Sequence, residues 1–155
     1  MRHLNLRTLK FDDHSEASRT LRVEVQPFAL GGETYAVDGG AVQLVLSASR
    51  VGARLSLHGA AVAVVRGPCQ RCLDDAVVEV RIAAEDYVFN GSSQGMERGE
   101  AYVRGGVLDL DQWVRDALAE ALPGQLLCRP DCKGLCPVCG ADLNVAPAPH
   151  EHTGA

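Results

Sequence analysis

Lysine is nearly absent from this 155-residue chain, with Lys10 and Lys133 the only two. The other side-chain cations are arginines, and beside so many alanines they reflect the coding bias of a GC-rich genome. Arginine content is therefore weak support for a nucleic-acid partner. Net charge is −5, so the field of the whole molecule does not draw in a polyanion. Contact with RNA would need a local patch or an intermediary protein. No run of about 18 apolar residues occurs, and Met1-Arg2-His3-Leu4-Asn5 has no apolar block leading to a small-residue cleavage site. We expect a cytoplasmic protein without membrane contact. Gly31-Gly32 and Gly39-Gly40 lack the spacing and the lysine of a phosphate loop. The carboxylates Asp12, Asp13, Asp74, Asp75, Glu85 and Asp86 are scattered through strand ends and turns, where solvated faces and caps account for them. With no catalytic constellation, we expect neither an enzyme nor a small-molecule substrate.

What is present suits one soluble globular core with a small appendage, since 46% of residues are hydrophobic. From Leu4 to about Val88 the apolar residues are β-branched or leucine and alternate: Leu21, Val23, Val25; Val42, Leu44, Leu46; Leu55, Leu57, Ala61, Ala63, Val65. This period of two predicts strands. Gly31-Gly32, Asp38-Gly39-Gly40 and Gly52 supply the tight connections. A long strand is expected over Ala76 to Phe89, with imperfect alternation (Val77, Ile82, Tyr87, Phe89) that points to a bulge. Residues Asn90 to Arg104, rich in Gly, Ser and Glu, read as a mobile loop. A helix then follows over about 109–122, capped by Asp109 with Gln112 completing a capping box. It carries Leu110, Trp113, Val114, Ala117, Leu118 and Ala121 on one face and stops at Pro123-Gly124. The fold class is α+β: a mainly antiparallel sheet, open or barrel-like, with one amphipathic helix whose Trp113 lies in the core. We divide the chain into a β-rich domain, 1–124, and a cysteine-rich tail, 125–155, tied to a hairpin tip at 69–72.

The chemistry lies in six cysteines. Cys69-Gln70-Arg71-Cys72 falls at the hairpin tip, and Cys128, Cys132, Cys136 and Cys139 crowd a stretch too poor in apolar residues to bury a core of its own. In Cys136-Pro137-Val138-Cys139-Gly140, Pro137 presets φ and Gly140 permits the turn that aims backbone N–H groups at a metal-bound thiolate, as in a zinc knuckle. Paired Cys-x-x-Cys motifs far apart in sequence are the makings of a zinc ribbon. Tetrahedral zinc takes four ligands, so six cysteines are two short of two sites, and His150 and His152 supply the difference. The preferred partition is Cys69, Cys72, Cys128 and Cys132 for one Zn2+, with Cys136, Cys139, His150 and His152 for the other. A rival places Cys128, Cys132, Cys136 and Cys139 around a single zinc. His3, His14 and His58 are isolated and receive no role.

Other uses of the thiols fit less well. Disulfides need an oxidising compartment. Redox catalysis at Cys136-Pro137-Val138-Cys139 needs a helix opening at the nucleophile, whereas Pro147 and Pro149 follow closely. An iron–sulfur cluster is compatible with the spacing, although a knuckle with Pro and Gly favours zinc. Arg71, Arg129 and Lys133, carried on the turns that zinc would fix, are candidate contacts for nucleic-acid phosphate or a protein partner.

Cys69-Gln70-Arg71-Cys72-Leu73 after a long strand, an Asp-Leu helix ending in Leu122-Pro123, then Asp131-Cys132-Lys133-Gly134-Leu135-Cys136-Pro137-Val138-Cys139-Gly140 and Leu143-Asn144 together resemble the YceD-type large ribosomal RNA subunit accumulation proteins. The N-terminal strands fit only in general pattern. The resemblance implies a ribosome biogenesis factor of a bacterium or plastid, with large-subunit rRNA or its assembly proteins as partners and no known catalytic residue. Related sequences commonly end in Cys-x-Cys where this one has His150-Glu151-His152, which implies that the histidines are exchanged ligands. Some members keep the first pair without the later knuckle, as two separable sites would allow. The alternative function is an acidic adaptor that recruits a ribonuclease or ribosomal protein without touching RNA.

Overall fold

The computed structural model describes residues 1–89 and 102–152. The chain opens with strand β1 (His3–Asn5) and a single 3-10 turn, Leu6–Thr8. The strands β2 (Glu16–Glu24), β3 (Phe28–Leu30), β4 (Glu33–Val37), β5 (Ala41–Val51), β6 (Arg54–Pro68) and β7 (Asp75–Phe89) follow. The short β8 (Val103–Arg104) and β9 (Val107–Asp109) then lead into helix α1 (Leu110–Ala121). Every pairing is antiparallel. β6 is the spine of the large sheet. Along one edge it pairs over its whole length with β7, and along the other it meets β5 in its first half and β4 near its end. Among the described residues no pairing closes this sheet into a barrel. β1, β9 and β8 form a separate three-stranded sheet.

The alternation in the sequence becomes one buried and one exposed face. Leu55, Leu57, Ala63 and Val65 on β6 are buried, as are Val42, Leu44 and Leu46 on β5 and Leu21 and Val23 on β2. Their cover is α1, which lies on β7 and contributes Leu110, Trp113, Val114 and Leu118 to the same core as Leu4, Leu6 and Leu108. Two glycines of β6 sit on that inner face because rings lie against the backbone there. A Cβ at Gly59 would stand 2.9 Å from the Trp113 ring, and one at Gly67 would stand 2.5 Å from the Tyr35 ring.

Four expectations need correction. β7 carries no bulge, because its register with β6 runs unbroken from Arg54↔Phe89 to Pro68↔Asp75. The alternation looked imperfect because Val77 and Phe89 are apolar residues on the exposed face, 46% and 42% accessible. Of the expected loop, residues 90–101 lie outside the described residues, whereas Val103–Arg104 pair with β9. The capping box is half made. The Asp109 carboxylate accepts from the Gln112 N–H at 3.1 Å, but the Asp109 N–H goes to the Tyr102 carbonyl at 2.8 Å, leaving Gln112 no donor to reach back to. Finally, Asp86 does not lie on a solvated face. It points inward from β7, is 6% exposed, and accepts the Tyr87 N–H at 2.8 Å.

Candidate metal centres

The β6–β7 hairpin holds the first cysteine pair at its tip. Cys69 takes a position at the end of β6, its N–H donating to the Asp74 carbonyl at 2.7 Å, and Leu73 closes the turn by donating to the Cys69 carbonyl at 2.9 Å. Leu73 has φ 66°, in the left-handed region where a Cβ costs about 1 kcal/mol, so this turn is held by its surroundings. The Gln70 N–H donates to the Leu126 carbonyl at 2.9 Å, which fastens the tip to the segment leaving α1. That segment delivers Cys128 and Cys132.

Cys69, Cys72, Cys128 and Cys132 meet there, their sulfurs all within 4.8 Å of one another. The Cys69–Cys132 pair stands at 3.7 Å and the Cys72–Cys128 pair at 3.6 Å. All six cysteines are free, and these spacings are far from the roughly 2.05 Å of a disulfide. Cys69, Cys72 and Cys132 are buried. Burial pushes the Cys69 thiol up, but backbone N–H groups of Cys72, Cys128 and Arg71 outweigh it and bring the thiol down to about 6. At Cys72 the Asp74 N–H favours the thiolate, yet burial and the neighbouring thiols prevail and push it up. Burial likewise pushes Cys128 up. Without a cation at the centre, ionising one sulfur disfavours ionising the next.

The second cluster is built within the tail. Cys136 and Cys139 sit on a turn in which the Gly140 N–H donates to the Cys136 carbonyl at 2.8 Å, with Gly140 at φ 74°. The Cys136 N–H donates to the Ala141 carbonyl, also at 2.8 Å, and Leu135 bridges Asp142. Among the described residues no helix follows the pair, unlike a thioredoxin-type site. N–H groups of Cys139 and Val138 aim at the Cys136 sulfur and lower its thiol to about 6. His152 Nε2 stands 3.0 Å from the Cys136 sulfur, and His150 Nε2 stands 3.4 Å from that of Cys139. The four donor atoms again lie within 4.8 Å of one another. The rival grouping of Cys128, Cys132, Cys136 and Cys139 is not the one the structure assembles.

Asn144 ties the tail to the first cluster, a role that nothing in the sequence marks. Its side-chain oxygen accepts from the Lys133 N–H at 2.9 Å, and its Nδ2 donates to the Cys132 sulfur at 3.5 Å and to Asp142 Oδ1 at 2.7 Å. Gly134, at φ 75°, lies so close to the hairpin tip that a Cβ would stand 3.0 Å from the Arg71 carbonyl oxygen. That carbonyl accepts from the Leu135 N–H at 3.1 Å, and the Gly134 carbonyl accepts from Leu143 at 2.9 Å. The three predicted contact cations are near the first cluster but differently engaged. Arg71 donates to the Cys132 carbonyl at 2.9 Å, Arg129 pairs with Asp131 at 3.8 Å, and Lys133 is exposed. The histidines given no role lie elsewhere, with His58 3.4 Å from Glu85 and His3 3.9 Å from Asp109.

Fold and site thus define an open antiparallel sheet whose hairpin tip and tail gather two four-donor clusters compatible with metal binding. The family model of the large ribosomal RNA subunit accumulation protein YceD matches residues 57–154, and the chain belongs to that family. Similar proteins of Mycobacterium tuberculosis and Mycobacterium bovis are 34% identical over 131 residues, which is 81% of this chain and 63% of theirs. One of Mycobacterium leprae is 30% identical over 128 residues, 79% of this chain and 59% of its own length. All three are uncharacterized proteins, and this chain spans less than two thirds of each. No solved structure matches the chain. No helix among the described residues is long and apolar enough to cross a membrane.

Proposed function

We propose that the chain supports accumulation of large-subunit rRNA in the cytoplasm as a zinc-stabilised, non-catalytic binding module. Membership of the family supports the process. The observation that carries the mode of action is the assembly of two complete tetrads from all six cysteines and the two tail histidines. Thiolates at about 2.3 Å from a tetrahedral zinc stand about 3.8 Å apart, close to the 3.7 and 3.6 Å of the first cluster. A thiolate and an imidazole nitrogen would stand about 3.6 Å apart. The 3.4 Å pair of Cys139 and His150 approaches that value, and the 3.0 Å pair of Cys136 and His152 is tighter. Zinc would supply the positive charge that lets all four sulfurs of the first cluster ionise together. With four protein donors in each tetrad no position is left for a reactive water, which supports a structural use.

The charges beside the first cluster favour the adaptor mode over direct RNA contact. Zinc with four thiolates keeps a net negative charge, so Arg71, Arg129 and Lys133 surround an anion. Arg71 is further engaged by the Cys132 carbonyl and Arg129 by Asp131. Little positive charge remains to attract phosphate, and the chain as a whole carries −5. The expected partner is therefore a protein of the assembling large subunit or one that processes its RNA. Depletion of the protein from its host should lower the ratio of large- to small-subunit rRNA, and an unchanged ratio overturns the assignment. Gel shift of rRNA across a salt series, with Arg71, Arg129 and Lys133 all replaced by Gln, separates the modes. Affinity lost on neutralisation would return the case to direct binding.

A further inference from the structure

The two tetrads are held so differently that we infer a division of labour: the first is a permanent metal site and the second an exchangeable one, whose metal fastens the tail. The inference rests on the zinc reading above. In the first tetrad three of four donors are buried, with Cys69 0%, Cys132 2% and Cys72 4% exposed. Its ligands come from two elements tied to each other independently of any metal. Gln70 bonds to Leu126, Leu135 to Arg71, and the Arg71 guanidinium to Cys132. A chelator reaching this metal has to part the hairpin tip from the segment after α1, and with it a piece of the core.

The second tetrad has no such cover. Cys136 alone is buried, Cys139 and His152 are exposed, and His150 is half-buried. Cys136 and Cys139 are fixed by the knuckle and its bridge, but the histidines arrive on a segment with little to hold it. The last backbone hydrogen bonds before them are donated by Val145 and Ala146 to the Asp142 carbonyl. Among the described residues, 147–152 make no backbone hydrogen bond, and their polar contacts are the two imidazoles against the two thiols. The metal would thus be the clasp of this segment. A local opening of the tail, which disturbs nothing in the sheet, exposes it to a competing ligand.

The test uses the full chain loaded with zinc and challenged with the chelating indicator 4-(2-pyridylazo)resorcinol, recording release with time. Release in two resolved phases of equal amplitude is expected, one zinc in each, the faster from the tail because its opening is local. The variant carrying His150→Ala and His152→Ala should hold one zinc, show only the slow phase, and keep the far-ultraviolet circular dichroism of the unmodified chain. A single phase releasing both equivalents overturns the inequality while leaving the zinc reading intact. Loss of the slow phase in the double variant also overturns it. A chain that binds no zinc overturns both readings.

Discussion

Asn144 shows what a single side chain does where the tail meets the first cluster. Its amide donates to the Cys132 sulfur and accepts from the Lys133 backbone, so it orients a candidate ligand and ties the tail to the first tetrad. Replacing it with Ala should lower zinc affinity of the first tetrad about tenfold, as measured by competition with a chelator of known affinity. Unchanged affinity would make Asn144 merely a turn residue. Tyr102 offers a test free of metal. Partial burial, then its hydrogen bond to Asp116 at 2.8 Å, pushes its phenol up to about 12. Because the folded value is raised, the contribution to stability is present below the ordinary tyrosine range and is lost as pH rises through about 12. Alkaline absorbance titration should show a late phenolate step that Tyr102→Phe removes, and identical titrations would refute the assignment. At this scale the cysteines were legible because ligand spacing is a local property. Asn144 was not, since only the folding of 142–144 back onto 132–135 gives it a sulfur to meet.

Elements depend on contacts that alternation does not encode. The strands β2, β5 and β6 could be read from their period of two, because each buries one face. In β7 the inward residues include Ala76, Ala84 and Asp86 while Val77 and Phe89 face out, so hydrophobicity and burial part company. Gly59 lies within a strand, with the Trp113 ring filling the space of its missing Cβ. Gly59→Ala should destabilise the protein by about 1–3 kcal/mol through overpacking between β6 and α1, measured as a lower urea midpoint with an unchanged slope. Stability equal to that of the unmodified chain would mean that the helix can shift at no cost. Asp111, at the start of α1, is the buried anchor of the helix. It accepts from Arg2 at 2.7 Å and from the Gln26 N–H at 3.1 Å, and Arg115 stands 3.4 Å away. Asp111→Ala removes the shared acceptor of the Gln26 N–H and of two arginines, of which Arg2 is half exposed and can turn to water, so we expect a loss of about 1–3 kcal/mol in the same assay. A loss within 0.5 kcal/mol, roughly the level of a neutral surface change, would contradict this. The sequence holds no mark of the anchor, because its partners lie far away in the chain.

The large sheet has a longest hairpin that ends in candidate metal ligands, and the tail completes the two tetrads. Helix α1 carries the chain from the small three-stranded sheet to the hairpin tip, which is how Cys128 and Cys132 reach a pair more than fifty residues earlier. The spacing of the cysteines allowed two partitions, and the choice between them is tertiary: it follows from Gln70 meeting Leu126 and Arg71 meeting Leu135. The negative charge of the whole chain, legible from composition, regains importance once Arg71 and Arg129 prove to be engaged. The proposal that six cysteines and two histidines form two zinc sites makes a stoichiometric demand. Elemental analysis of the purified full chain, paired with thiol titration before and after chelation, tests it most directly. Two zinc per chain are expected, with thiols that become fully reactive only when the metal is withdrawn. One zinc or none, with Cys136 and Cys139 freely reactive at the outset, would contradict it.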